Sequence, residues 1–129
     1  MPPSTPARPS LTVIVCAYTV DRWQDLSAAI GSLHAQTRTP DEIILVVDHC
    51  PELAERAARE LAGARIVPSR GKPGLSAARN TGIAEAHGEI LAFLDDDAAA
   101  DPGWAEHLLA GYADPAVLGV GGLIRPRWD

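Results

Sequence analysis

Short aliphatic runs alternate along this chain with stretches of helical periodicity, and that alternation constrains the fold more than any other feature. The runs are Leu11–Ala17, Glu42–Val47 and residues 64–67, 89–94 and 117–124. Most are apolar along nearly their whole length. A strand with one wet face would alternate, so these runs predict strands buried on both faces, as in a parallel sheet covered by helices. Between them, Asp21 and Gln24 resemble a capping box ahead of Trp23, Leu26, Ile30 and Leu33 on one helical face. Pro51 suits the first turn of a second helix running to about Leu61, with Gly63 past its end. Ser76 is the expected cap of a third helix that reaches about His87 and stops at Gly88. Asp101-Pro102 opens a fourth, carrying Trp104, Leu108 and Leu109. The order βαβαβαβαβ implies right-handed crossovers onto a mostly parallel, Rossmann-like α/β sheet flanked by helices. Residues 1–10, with prolines at 2, 3, 6 and 9, read as a flexible leader.

In an open α/β sheet the ligand crevice lies beyond the carboxyl ends of the strands, so the residues there are the candidates. The first strand ends in Ala17-Tyr18-Thr19 and the second in Asp48-His49-Cys50. The third leads into a loop holding Arg70, Gly71, Lys72 and Gly74, and the fourth ends in Asp95-Asp96-Asp97. Adjacent carboxylates repel and raise one another's pKa unless a cation sits among them. A hard divalent ion shared with phosphates is the simplest such cation. The competing explanation is a solvated acidic turn, with Asp101 capping the next helix. The glycine loop ahead of a helix N-terminus, with Lys72, Arg70 and Arg79 nearby, favours anions. It has neither the ending of a P-loop nor the glycine spacing of a dinucleotide site.

The run Gly74-Leu75-Ser76-Ala77-Ala78-Arg79-Asn80-Thr81-Gly82, followed by Gly88 through Asp97, resembles the core signature of family-2 inverting glycosyltransferases with the GT-A fold. Val13 through Tyr18, Gln36-Thr37, Pro40 through Ile44, and Asp48 fit the same pattern in the same order. Tyr18-Thr19, Asp21-Arg22-Trp23 and Val47-Asp48-His49 are similar to a branch that includes lipid-linked glucuronosyl and glucosyl transferases.

The resemblance implies roles position by position. Ala17, Tyr18 and Thr19 would line the nucleobase and ribose pocket. Asp48 would hydrogen-bond a uracil ring, which favours a UDP-sugar. Gly74, Ser76 and Arg79 would approach the nucleotide sugar. Asp95-Asp96-Asp97 matches the Asp-x-Asp motif, with Asp97 and Asp95 at Mn²⁺ or Mg²⁺, and Asp95 and Asp96 also at ribose or sugar. The acceptor would be a glycan or a lipid-linked sugar. The general base, a carboxylate in this family, is expected beyond Asp129, so residues 11–129 read as the nucleotide-sugar-binding part, incomplete at the C-terminus, with apolar surface exposed near 118–124.

Composition narrows the alternatives. Eleven Lys and Arg against seventeen Asp and Glu give a net charge of −6, a poor match to a nucleic-acid backbone. No apolar run approaches the roughly 20 residues of a membrane-spanning helix. Two cysteines point to a reducing compartment, hence a cytoplasmic location, and the family resemblance implies peripheral association with the cytoplasmic face of a membrane as the alternative. Cys16 is expected as a buried thiol. His34, His87 and His107 fall in predicted helices without ligand spacing, whereas His49 stands beside Asp48 at the pocket edge. Trp23 and Trp104 read as core and Trp128 as the start of an acceptor-side segment. Glu52, Glu55, Arg56, Arg59 and Glu60 read as a solvated helix face. Two further classes stay open: a metal-dependent phosphohydrolase with Asp95 as nucleophile, and a nucleotide-binding module without catalysis.

Overall fold

In a computed structural model, which describes residues 9–111, four strands form one wholly parallel sheet. The strands are β1 (Leu11–Ala17), β2 (Glu42–Val47), β3 (Arg65–Pro68) and β4 (Ile90–Asp95), in the order β3-β2-β1-β4. The helices are α1 (Trp23–His34), α2 (Pro51–Glu60), α3 (Leu75–Glu85) and α4 (Trp104–Gly111). The expected strand at 117–124, the apolar surface near it, Trp128 and most of the leader lie outside the described residues. Ser10, assigned to the leader, already joins the sheet end: its carbonyl accepts from the Ile90 N–H at 2.9 Å.

Alternate strand residues face opposite layers, and both layers are apolar, which is why the runs are continuous. Leu11, Val13, Val15, Ile43, Leu45 and Val47 face one side and pack with Leu26, Ile30 and Leu33 of α1, Leu53 of α2 and Leu108 of α4. Ile14, Ile44, Val46 and Val67 face the other side, where they pack with Ala78 of α3. Aromatics make up only 5% of the chain, so aliphatic side chains fill both layers. Trp23 and Trp104 pack partly buried against the larger cluster. The charged face of α2 is exposed, with Arg56 paired to Glu60 at 2.9 Å and stacked 4.1 Å from the Trp23 ring centroid.

Three local expectations change. A short 3₁₀ turn (Val20–Arg22) precedes α1, and its cap is Thr19, whose hydroxyl accepts from the Asp21 N–H at 3.1 Å. The third helix begins two residues early, with Gly74 at its cap position, so Ser76 lies inside the first turn and is exposed. That helix ends at Glu85, which places His87 in the connection to β4.

His87 there meets a polar cluster at the amino ends of the strands. Glu42 accepts from the His87 N–H and the Thr12 hydroxyl, both at 2.9 Å, and its other oxygen faces the His87 ring at 2.9 Å. Burial alone would raise the Glu42 carboxyl, but the His87 N–H, the His87 ring and Thr12 outweigh it and hold the pKa down at about 2. A carboxyl depressed from 4.5 to about 2 contributes stability that is full above the higher value and lost as pH falls through the lower one. Urea midpoints should therefore fall steeply for the wild type across that acid window. Glu42→Gln should start lower at neutral pH and change less across the same window. Parallel curves for the two proteins would refute this.

Candidate functional site

The chain order and the spatial order of the strands part company at one place. The connections β1-α1-β2 and β2-α2-β3 step outward in one direction, whereas α3 carries the chain back across the sheet to β4, on the far side of β1. Beyond the carboxyl ends of β1 and β4 the flanking connections therefore diverge, which leaves a crevice. A cleft of about 700 Å³ lies there, within the size range of small-molecule sites.

The residue after β1, Tyr18, lines the cleft and is 60% exposed, an unusual position for a large ring unless something covers it. Arg22, four residues on, lies with its guanidinium 5.0 Å from the Tyr18 ring centroid. The same guanidinium reaches across to Asp96, with Nη2 3.3 Å from Oδ2. Register pairs Asp95 with Cys16, and the Ala98 N–H donates to the Asp95 carbonyl at 3.1 Å, so the three aspartates stand on a closed turn at the end of β4. Asp96 is the buried one of the three, and burial pushes its carboxyl up, opposed by Arg22 and reinforced by Asp97 and Asp95. Asp95 and Asp97 are exposed on the cleft wall. Cys16 also lines the cleft, with its thiol pushed to about 11, chiefly by burial and also by Asp48, Asp96 and Asp95, against the pull of Arg79. Cys16 and Cys50 are both free thiols.

Asp48 holds the opposite wall. Its N–H donates to the Ala17 carbonyl at 2.8 Å, and its Oδ2 accepts from the Gly74 N–H at 2.8 Å. Gly74 has φ +138°, a backbone state that side-chain-bearing residues rarely adopt. A carboxylate at the start of α3 also suits the positive end of the helix dipole. His49, itself at φ +52°, places Nε2 3.0 Å from the Gly71 carbonyl oxygen. The loop is tied again where the Arg70 N–H donates to the Thr81 hydroxyl at 3.0 Å. The second carboxylate oxygen of Asp48, Oδ1, is buried and has no hydrogen bond among the described residues. The His49 ring nitrogen is 3.6 Å from it, inside ion-pair range but too far for a hydrogen bond.

The fold thus brings Ala17, Tyr18, Asp48, Gly74, Arg79, Asp95, Asp96 and Asp97 to one cleft from four separate segments. Thr19 and Ser76 are not on its walls: Thr19 is spent on its own turn, and Ser76 lies on an exposed part of α3. Of the loop's basic residues only Arg79 lines the cleft, stacked 5.6 Å from the Phe93 ring centroid, while Arg70 turns towards Glu85 at 3.6 Å. Arg22 was missed from sequence, although its place just before α1, close behind the end of β1, was a usable signal. Leu75 and Phe93, 53% and 41% exposed, were missed as well: Leu75 stands in the glycine loop without a polar group to mark it, and Phe93 in a strand that reads as core.

The donor set can also be judged for an ion. Among the described residues no three His, Cys, Asp or Glu side chains are grouped to hold a metal by themselves. Asp95 and Asp97 offer hard oxygen donors at the cleft, and Mg²⁺-like ions take one or two carboxylates with substrate phosphates and water completing the shell. The residues fit an ion that arrives with a phosphate ligand.

A parallel sheet with helices on both faces and a cleft beyond its strand ends defines an α/β protein of Rossmann-like arrangement. The sequence profile of glycosyl transferase family 2 matches residues 12–128, and the chain belongs to that family. It is similar to a glucosyl-dolichyl phosphate glucuronosyltransferase of Haloferax volcanii, 33% identical over 122 residues, covering 92% of this chain and 39% of the relative. A pre-mycofactocin glycosyltransferase of Mycobacterium tuberculosis is 30% identical over 129 residues, covering 98% of this chain and 25% of the relative. Mouse polypeptide N-acetylgalactosaminyltransferase 6 is 34% identical over 116 residues, covering 84% and 18%. The chain spans 39% or less of the length of these relatives. No helix among the described residues is long and apolar enough to cross a membrane.

Proposed function

We propose that the cleft binds a nucleoside-diphosphate sugar, a UDP-sugar by preference, together with Mn²⁺ or Mg²⁺, as the donor site of a glycosyltransferase. The carrying observation is the assembly of an exposed ring, an orphaned buried carboxylate oxygen, the Arg79 guanidinium and an acidic turn around one cavity. Each supplies what one part of such a donor needs. Tyr18 offers a flat face to a nucleobase, and Asp48 Oδ1 an acceptor for a ring N–H. Arg79 supplies positive charge for the diphosphate, and Asp95 and Asp97 supply oxygen ligands.

In the transfer, the bond from the anomeric carbon to the phosphate oxygen breaks and the electron pair leaves with the diphosphate. An acceptor hydroxyl oxygen forms the new bond and gives its proton to a base. A bound divalent ion would supply Lewis-acid stabilisation of the departing diphosphate. The chain's own residues Tyr18 and Asp48 hold the nucleobase, Arg79 orients the diphosphate, and Arg22 keeps Asp96 neutralised so that the turn is not wholly anionic. For the acceptor we favour a lipid-linked sugar at a cytoplasmic membrane face, supported by the Haloferax relative and by the two free cysteines. The triplet stands at the end of β4 and not on the first strand, which removes support from the phosphohydrolase reading.

Calorimetry of UDP in EDTA and in Mn²⁺ tests this. UDP should bind in both buffers, at least tenfold more tightly with Mn²⁺. A chain that takes up no UDP in either buffer, or binds ADP equally well, overturns the proposal.

A further inference from the structure

The segment after the acidic turn has no polar side chains with which to anchor itself. Residues 98, 99 and 100 are all alanine, and although Ala100 packs partly buried against the larger apolar cluster, every hydrogen bond that holds this segment must come from its backbone. On the other flank the turn is held by the ladder of β4 with β1.

The backbone contacts converge on the carboxyl end of α1. Gln36 is 5% exposed, and a buried side-chain amide has to find partners for both its donor and its acceptor ends. Its Nε2 donates to the Asp101 carbonyl at 2.6 Å and to the Ser32 carbonyl at 3.1 Å. Its Oε1 accepts from the Ala105 N–H at 2.8 Å. One helical turn earlier, the Ser32 hydroxyl accepts from the Ala100 N–H at 2.9 Å and donates to the Ala29 carbonyl at 2.6 Å. The neighbouring Thr37 donates its N–H to the Pro102 carbonyl at 2.9 Å. Residues 100, 101, 102 and 105 are thus all bonded to α1 or its immediate end. Only Ala99 separates the first of these anchors from Ala98, which closes the acidic turn.

The geometry points to Gln36 as a positioning residue: with Ser32, it fixes the Asp95–Asp96–Asp97 turn at the cleft from the carboxyl end of α1. This rests on the donor-site reading above, in which that turn provides the ion's carboxylates. Gln36 touches neither the cleft nor its ligand. Its loss should therefore leave the nucleobase wall at Tyr18 and Asp48 intact and loosen only the carboxylates. A role confined to stability would weaken both parts alike once the protein began to unfold, and neither part below its melting range.

The test compares UDP affinity in EDTA and in Mn²⁺ for the wild type and for Gln36→Met, which keeps the side-chain volume and removes all three bonds. Both proteins are held at a temperature where circular dichroism shows them folded. UDP affinity in EDTA should agree within about twofold, while the tightening by Mn²⁺ should fall at least fivefold in the variant. Ser32→Ala, which removes the Ala100 anchor together with the hydroxyl's bond to Ala29 and leaves the Gln36 bonds in place, should show a smaller loss in the same direction, and it decides the question if Gln36→Met does not fold. An unchanged Mn²⁺ effect in the folded variant, or equal losses in both buffers, overturns the inference. A wild type that binds UDP with no Mn²⁺ effect overturns the metal reading itself, which separates the two failures.

Discussion

Replacing Gly82 by alanine should destabilise the protein, whereas the same substitution at Gly31 should stabilise it. Both glycines lie inside helices, and on helix propensity alone alanine is better at each by about 1 kcal/mol. Gly31 has nothing within 4 Å of where a Cβ would stand, so the propensity gain is realised in full. At Gly82 a Cβ would come 2.6 Å from Ile14 Cγ2 and 3.2 Å from Val46 Cγ2. Both partners are fully buried β-branched side chains on adjacent strands, with no free rotamer to turn into. Overpacking of that kind costs typically about 1–3 kcal/mol, which exceeds the propensity gain, and Gly82→Val should be worse still. Thermal unfolding of Gly31→Ala, Gly82→Ala and Gly82→Val checks the order. A melting temperature for Gly82→Ala at or above that of the wild type would show that α3 can lift off the sheet without cost.

Asp48→Ala should lower UDP affinity by roughly ten- to a hundredfold, since a hydrogen bond to a charged group is worth about 1.5–3 kcal/mol. Two contributions would disappear together: the unsatisfied acceptor Oδ1 proposed to receive the nucleobase N–H, and the bond that Oδ2 accepts from the Gly74 N–H, which fixes the start of α3. Stability should change much less. An orphaned, buried carboxylate oxygen is a standing cost in the empty cleft, and its removal offsets part of the lost bond to Gly74. Asp48→Asn keeps one carbonyl oxygen, which can serve Gly74 or a ligand but not both, so its affinity should fall between the other two. The measurement is UDP titration beside thermal melts for all three proteins. Equal UDP affinity in wild type and Asp48→Ala would remove Asp48 from the site, and a large melting shift without affinity loss would make it purely structural.

The two predictions mark how far the sequence could be read. β1 and β2 were legible because burial on both faces leaves a continuous apolar run, β3 and β4 because short aliphatic runs stand between helical stretches although each strand keeps exposed residues, and α2 because Pro51 opens it. The start of α3 was misread for a definite reason. Ser76 is a good cap by residue type, but the position is settled 26 residues away, where Asp48 takes the Gly74 N–H and fixes the turn earlier. His87 was assigned to a helix by its neighbours, yet Glu42, 45 residues distant, holds it in the connection to β4.

At the cleft the division is the same. The acidic triplet, Tyr18, Asp48 and Arg79 were nameable in advance because chemistry-bearing residues at strand ends have little structural reason to be there. Arg22 and Gln36 were not assigned roles of their own, since each acts through a contact that exists only after folding: Arg22 with Asp96, and Gln36 with Asp101 and Ala105. The amino-acid sequence by itself determined the two-faced strands, their helical connections and the residues that follow each strand, all of which are local matters of hydrophobic period and turn chemistry. Only the tertiary structure decided that β4 lies beside β1 and not beside β3, because strand neighbours are chosen by how the helices share the two apolar faces. That choice puts Asp95, Asp96 and Asp97 opposite Tyr18 and Asp48, and makes a single cleft of them.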